Sequence, residues 1–221
     1  MTGAGSQVSG LVPAAGEGLR LGLGPKALLE LGGTPLLRGL VDRMLRMADE
    51  VVIAVPAGRE AEFAAAYPDC RCIPGGATRQ DSVRRLAEAA AHDWTILHDA
   101  ARPFVSEALL RNVAEAARET GCAGAFLDPE VPVARLSHGR AVEAIPRGEA
   151  GIFQAPQAFA RALLLDLVRS ADAHAWQEQS TIQLALRAGI AVRAVPGEKT
   201  NIKLTTIEDW NMARYLAEQS R

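Results

Sequence analysis

Short apolar runs alternate with alanine- and leucine-rich stretches along most of the chain. Runs of β-type residues predict strands at Val8–Pro13, Val51–Pro56, Trp94–Leu97, Gly124–Leu127 and Ile190–Val195. Apolar residues at helical spacing predict helices at Pro35–Met47, Arg79–Ala91, Ser106–Thr120, Ala158–Ser170 and Ile207–Glu218. Such alternation requires crossover connections, so the sequence predicts an α/β fold with a Rossmann-like, mainly parallel sheet flanked by helices.

One segment breaks this alternation. Residues 129–156 are rich in proline and glycine and have no helical period, with scraps of polar and apolar alternation only near Val131–Leu136. A long structureless connection is uncommon unless it serves a function, so a protruding β-arm is favoured over a mobile surface loop.

Composition limits the classes of protein that the chain can represent. The 221 residues are 48% apolar and carry a net charge of -2, which predicts a single domain over residues 1–221 and neither a nucleic acid nor a membrane as partner. No targeting segment or spanning run is seen, so a cytoplasmic location is expected. Cys70, Cys72 and Cys122 lack paired spacing, which argues against a disulfide framework or a zinc site.

The stretch LVPAAGEGLRLGLGPK, residues 11–26, begins at the end of the first predicted strand and is rich in small residues. Open α/β sheets bind ligands where strands end, and Ala14, Ala15, Gly16 and Gly18 let backbone N–H groups approach an anion closely. The spacing fits neither a Walker A loop nor a dinucleotide-binding fingerprint. The sequence therefore predicts a phosphate-binding loop of another kind.

Two cations accompany this loop. Arg20 offers a planar fork for phosphate oxygens and Lys26 a point charge, and their spacing allows both to meet one polyphosphate. The alternative is a pair of solvated cations on a glycine-rich turn.

Three further motifs carry polar groups at predicted strand or helix ends. GGATRQDSV, residues 75–83, opens a helix, where Thr78 or Ser82 could serve as an ordinary cap. The segment LHDAARPFV, residues 97–105, places Asp99 directly after a strand. At this position the Asp99 carboxylate could hold Mg²⁺ beside substrate phosphates. Alternatively, Asp99 could pair with Arg102 or cap the next helix. In NIKLTT, residues 201–206, Lys203 points away from its apolar neighbours, as a solvated lysine would also do.

Together these four motifs, in this order, resemble the 2-C-methyl-D-erythritol 4-phosphate cytidylyltransferase family, whose fold is of the nucleotide-diphospho-sugar transferase type. The resemblance implies a homodimeric enzyme that uses Mg²⁺ to transfer a cytidylyl group from CTP to 2-C-methyl-D-erythritol 4-phosphate, with release of pyrophosphate, in non-mevalonate isoprenoid biosynthesis. It also implies roles for particular residues: Arg20 and Lys26 as transition-state stabilisers, Ala14 to Gly18 as the triphosphate loop, Asp99 as metal ligand, Gly76 and Ser82 at the cytosine, Ala100 and Arg102 at the nucleotide, and Lys203 and Arg147 at the acceptor phosphate.

The chain departs from the family pattern in the acceptor half. Leu136 and Ala155 stand where threonines are usual, and residues 178–181 replace an acidic stretch. Two alternatives therefore stay open: a cytidylyltransferase for another polyol phosphate such as ribitol 5-phosphate, and a nucleotide-binding protein without catalysis. Arg147 lies in the arm, residues 129–156, which in this family reaches across to a second subunit.

Overall fold

The computed structural model describes residues 7–16 and 29–219. Eleven strands lie in this part of the chain: β1 Val8–Pro13, β2 Glu30–Leu31, β3 Thr34–Pro35, β4 Glu50–Val55, β5 Arg71–Pro74, β6 Trp94–Leu97, β7 Cys122–Leu127, β8 Val133–Ser137, β9 Arg140–Ile145, β10 Ile152–Ala160 and β11 Arg193–Pro196. The helices are α1 Leu36–Leu45, α2 Glu60–Ala66, α3 Arg79–Ala89, α4 Glu107–Thr120, α5 Arg161–Ala173, α6 Thr181–Arg187 and α7 Ile207–Gln219.

Seven strands form a central sheet in the order β11-β7-β10-β6-β1-β4-β5. Strands β6, β1, β4 and β5 pair in parallel, as do β11 and β7. Strand β10 runs antiparallel between β6 and β7. The predicted Rossmann-like, mainly parallel fold is confirmed.

Helices cover both faces of this sheet because each carries an apolar stripe. On one face, α1 and α4 pack through residues such as Leu40 and Leu110. On the other face, α3 and α5 pack through residues such as Leu86 and Leu164. Sheets of this class place their ligands at the carboxyl ends of the parallel strands, so the site is expected there.

Strand β10 corrects two predictions. The arm was expected to run to Pro156 and a helix to begin at Ala158, but Ile152–Ala160 is a strand near the centre of the sheet, and α5 begins at Arg161. The strand is buried on both faces, so it shows no alternation, and a proline inside it normally argues against a central strand. The pairing register with β7 shifts between Phe153 and Gln157, which accommodates Pro156.

The arm itself is a two-stranded antiparallel hairpin of β8 and β9, separate from the central sheet. It is mostly exposed, and Arg135 pairs with Glu143 across it at 2.7 Å. No helix in the described ranges is long and apolar enough to cross a membrane.

Candidate active site

The ends of β1, β5 and β6 bring three of the four sequence motifs together. After β6, the N–H of His98 donates to the carbonyl of Leu11, so the HDAARP segment leaves the sheet beside the PAAG segment. A Cβ added to Gly75 would lie 2.2 Å from the Cβ of Ala15, too close for any side chain. Glycine at position 75 thus allows the start of α3 to pack directly against the end of β1.

The described part of the phosphate loop is Ala14 to Gly16. The N–H of Ala14 donates to the carbonyl of Ala54 at 2.8 Å, which ties it to β4 and withdraws it from the predicted phosphate cradle. Ala15 is half-buried and Gly16 exposed, so their backbone is accessible to a ligand. Gly18, Arg20 and Lys26 lie outside the described residues, and their assignments stay predictions.

The GGATRQDSV segment begins α3 with a reciprocal capping box. Thr78 accepts a hydrogen bond from the N–H of Asp81, whose carboxylate accepts one from the N–H of Thr78. Thr78, rather than Ser82, is therefore the cap. The Ser82 hydroxyl instead donates to the carbonyl of Thr78 and accepts from the N–H of Gly76, both at 3.0 Å, which fixes the loop that the family resemblance places at the cytosine.

Asp99 is the electrostatic centre of the site. One carboxylate oxygen accepts from Nε and Nη2 of Arg79, at 3.2 and 2.9 Å, and the other accepts from Nζ of Lys203 at 3.0 Å. The Asp99 side chain is only 13% exposed. Burial raises the pKa of Asp99, but the charges and hydrogen bonds of Arg79 and Lys203 outweigh it and hold that pKa well below its usual range. Asp99 is therefore ionised near neutral pH.

Arg79 is a member of this cluster that the sequence analysis did not assign to the site. It is the first residue of α3, directly after the Thr78 cap, and its side chain reaches across to the end of β6. The feature of the sequence that could have identified Arg79 is its position at the start of a predicted helix, shortly after the glycine pair of GGATRQDSV. Its pairing with Asp99 replaces the alternative in which Asp99 pairs with Arg102.

Arg102 instead supports the segment that carries Lys203. Its Nη1 donates to the carbonyl of Asn201 at 2.6 Å, and its own N–H donates to the carbonyl of Asp99 at 3.0 Å. Ala100 between them is buried. His98 is fully buried, with Nε2 3.0 Å from the carbonyl of Arg102, and burial lowers its pKa to about 4. His98 is therefore neutral near pH 7 and holds the turn.

The donor set at Asp99 is compatible with a divalent cation of the magnesium type. The described residues contain no group of three or more His, Cys, Asp or Glu side chains arranged to hold a metal. Mg²⁺ commonly takes one or two carboxylates and fills its other positions with substrate phosphates and water. A carboxylate has about four lone-pair sites, so the three hydrogen bonds from Arg79 and Lys203 leave Asp99 capacity for one further ligand bond.

Arg147 lies apart from this cluster. It occupies a short 3-10 helix, Arg147–Glu149, between β9 and β10, and it is exposed. In the described part of the chain its guanidinium has no ion-pair partner. Leu136, which replaces the usual threonine, is 71% exposed on the arm, whereas Ala155 is buried beneath Asn201.

The chain is similar in sequence to known proteins along nearly its whole length. Residues 8–219 match the family described as IspD: 2-C-methyl-D-erythritol 4-phosphate cytidylyltransferase. A protein of that name from Deinococcus radiodurans is 40% identical over 210 residues, which cover 95% of this chain and 89% of the relative. One from Thermus thermophilus is 40% identical over 214 residues, covering 96% and 97%.

Solved structures resemble the fold along nearly its whole length. The crystal structure of the Thermus thermophilus enzyme superposes with a TM-score of 0.81 at 36% identity, covering 96% of this chain and 99% of that one. A 4-diphosphocytidyl-2C-methyl-D-erythritol synthase from Anaerococcus prevotii gives 0.86 at 24% identity, with the same coverage. At that identity the second likeness concerns the fold alone.

Proposed function

The chain belongs to the 2-C-methyl-D-erythritol 4-phosphate cytidylyltransferase (IspD) family, and we propose that it transfers a cytidylyl group from CTP to 2-C-methyl-D-erythritol 4-phosphate, a step of isoprenoid biosynthesis. A phosphate oxygen of the acceptor attacks the α-phosphorus of CTP. The bond from the α-phosphorus to the bridging oxygen breaks, and pyrophosphate leaves with that electron pair. The product is 4-diphosphocytidyl-2-C-methyl-D-erythritol.

The observation that carries this proposal is the Arg79–Asp99–Lys203 cluster beside the Ala14–Gly16 segment. Two cations share one carboxylate, which leaves a net positive site at the strand ends next to a loop with accessible backbone. Both substrates are polyanions, so the principal task of the protein is to bring them together and stabilise charge at the α-phosphorus. A net positive site suits the binding of two polyanionic substrates.

We assign the remaining roles from the family. Arg20 and Lys26 stabilise the transition state, and the loop from Ala15 to Gly18 contacts the triphosphate. The fixed loop at Gly76, together with Ala100 and Arg102, forms the nucleoside side of the site. Lys203 and Arg147 place the acceptor phosphate.

A divalent metal, Mg²⁺ in our proposal, would be held by Asp99 and would supply neutralisation of phosphate charge. Arg79 and Lys203 orient the carboxylate that would receive it. The structural argument is that Asp99 is ionised and retains lone-pair capacity for one further ligand.

A coupled assay for pyrophosphate tests the proposed function. With Mg²⁺ and CTP, we expect release with 2-C-methyl-D-erythritol 4-phosphate and at least about tenfold less with ribitol 5-phosphate, a difference within reach of a few polar contacts. Replacing CTP by UTP tests the base preference. If pyrophosphate is released faster with ribitol 5-phosphate, that compound is the acceptor and the proposal is wrong on this point. If no pyrophosphate is released with either acceptor, the result favours the non-catalytic nucleotide-binding alternative.

We also propose that the chain forms a homodimer through its arm. Leu136 and Val142 of the hairpin, and Val131 just before it, are all more than half exposed, and an isolated two-stranded hairpin is marginally stable in water. A partner that covers the hairpin would bury these apolar side chains. The arm would then carry Arg147 towards the partner's acceptor site.

The arm proposal predicts a specific kinetic change for Arg147→Ala. Loss of a charge-assisted contact to the acceptor phosphate should raise the KM for the acceptor at least about tenfold and change the KM for CTP by less than about twofold. Arg169→Ala, at an exposed arginine on α5, is the matched control. Replacing residues 132–146 by a short turn should yield monomers in ultracentrifugation. A monomeric deletion variant with full activity would contradict the proposal.

Two further expectations stay predictions from the sequence. We propose that residues 1–221 form one nucleotidyltransferase domain from which the arm projects. A cytoplasmic location also stays a prediction.

A further inference from the structure

Lys203 sits on a segment without regular secondary structure, so something else must hold its ammonium group at Asp99. The segment of residues 197–205, here called the Lys203 loop, connects β11 to α7. It is attached at its two ends by backbone hydrogen bonds, from Gly197 to the carbonyl of Phe126 at 2.6 Å and from Leu204 to the carbonyl of Ala101 at 2.8 Å. Between these points, side chains from neighbouring elements anchor it.

Gln154 of β10 supplies the most extensive of these anchors. Its Oε1 accepts from the N–H of Glu198 at 3.1 Å, and its Nε2 donates to the carbonyls of Glu198 at 3.0 Å and Asn201 at 3.4 Å. The amide therefore uses both its donor and its acceptor on the backbone of the loop. Gln154 is almost completely buried, so water does not compete for these bonds.

Two other contacts converge on the same turn of the loop. The side-chain amide of Asn201, which is fully buried, donates to the carbonyl of Ala155 at 2.6 Å, and the carbonyl of Asn201 accepts from Arg102. Asn201 is therefore joined to β10 through its side chain and to the turn after β6 through its carbonyl. Lys203 follows two residues later, so the position of its backbone is set by this attachment.

We propose that Gln154 is a positioning residue for Lys203. It fixes the turn at Glu198–Asn201 so that the ammonium group of Lys203 reaches Asp99 and, in the reaction, the acceptor phosphate. The contact of Lys203 with the acceptor phosphate rests on the proposed function, whereas its position at Asp99 does not. The assignment explains why a polar amide occupies a buried position in a central strand, where an apolar side chain would otherwise be expected.

Lysine labelling tests the positioning without using activity. The sequence contains three lysines, Lys26, Lys199 and Lys203, so their acetylation can be followed separately by mass spectrometry. Lys199 is 80% exposed and pairs with Glu130 rather than with Asp99, so it serves as the internal reference. We expect Gln154→Met to increase the rate of acetylation of Lys203 relative to Lys199 at least about threefold, because the ion pair with Asp99 is loosened.

Kinetics with a double-mutant cycle provide the second test. In the wild-type background, Gln154→Met should lower kcat/KM for the acceptor at least about tenfold. In the Lys203→Ala background, the same change should lower kcat/KM less than about twofold, because the effects of residues that act through one another are not additive. Thr95→Val is the matched control. It removes a buried hydrogen bond of 3.1 Å from the Thr95 hydroxyl on β6 to the carbonyl of Phe159. Phe159 also belongs to β10 but lies at the other end of the strand from Gln154. Thr95→Val should leave kcat/KM within about twofold of wild type.

Three results would overturn the positioning role: unchanged labelling of Lys203, full additivity with Lys203→Ala, or an equal loss in Thr95→Val. If Gln154→Met does not fold, Gln154→Asn keeps the amide but is one methylene shorter, and the same results are expected of it. A wild-type enzyme that releases no pyrophosphate would contradict the proposed function, while the labelling experiment would still decide on Gln154.

Discussion

Asp99→Asn is expected to lower kcat at least about hundredfold, on the scale found when a preorganised electrostatic group is removed from an active site. The change keeps the shape of the side chain but removes the charge that, in the proposed function, would hold a divalent cation. It also places an amide between Arg79 and Lys203, and at least one of these cations loses its acceptor. The expected signature is a rise in the Mg²⁺ concentration needed for half-maximal rate, together with the fall in kcat.

The measurement is the pyrophosphate assay over a range of Mg²⁺ concentrations, with thermal unfolding as the check on the fold. The Asp99 carboxylate is largely buried and paired with both cations, so its loss also lowers folding stability. We therefore expect a lower Tm, and kcat is compared at temperatures well below it. Asp166→Asn, at a largely exposed aspartate on α5, is the matched control and should behave as wild type. An Asp99→Asn enzyme with a kcat within about threefold of wild type and unchanged Mg²⁺ dependence would contradict the assignment.

Local sequence signals predicted the parallel part of the fold well. Strand β6 was predicted with the bounds found in the structure, and α3 and α4 begin within one residue of their predicted starts because Thr78 and Ser106 are strong caps. Strand β10 was missed because both its faces are buried and a proline interrupts it, so neither periodicity nor propensity marks it. The short elements β5, α2 and α6 were also not predicted as such.

The candidate site, like the fold, contains residues that the sequence predicted and residues that it did not. Asp99 and Lys203 could be predicted because each stands in a recognisable motif, and their pairing at 3.0 Å joins residues 104 positions apart. Arg79 and Gln154 escaped prediction because their importance comes from such long-range contacts, which only the folded chain creates. The N–H of Ala14 was misassigned for the same reason, since its partner Ala54 is on another strand.

Arg20→Ala and Lys26→Ala are each expected to lower kcat at least about hundredfold, since both cations are assigned to charge that develops as the bond to pyrophosphate breaks. The KM for CTP should change much less than kcat, because a transition-state contact contributes little to ground-state binding. Arg20→Lys should recover only part of the loss, because an ammonium group cannot reproduce the planar fork of a guanidinium.

Single-turnover kinetics with saturating CTP separate this effect from slow product release, and Arg169→Ala again serves as the control. Two cations that act on one polyphosphate are expected to be non-additive, so the double variant should lose less than the product of the single losses. A fall in CTP affinity with kcat unchanged would show that the two side chains bind the substrate without aiding the transfer. That result would leave Asp99 and Lys203 as the centre of the chemistry and reduce the loop after β1 to a nucleotide clamp.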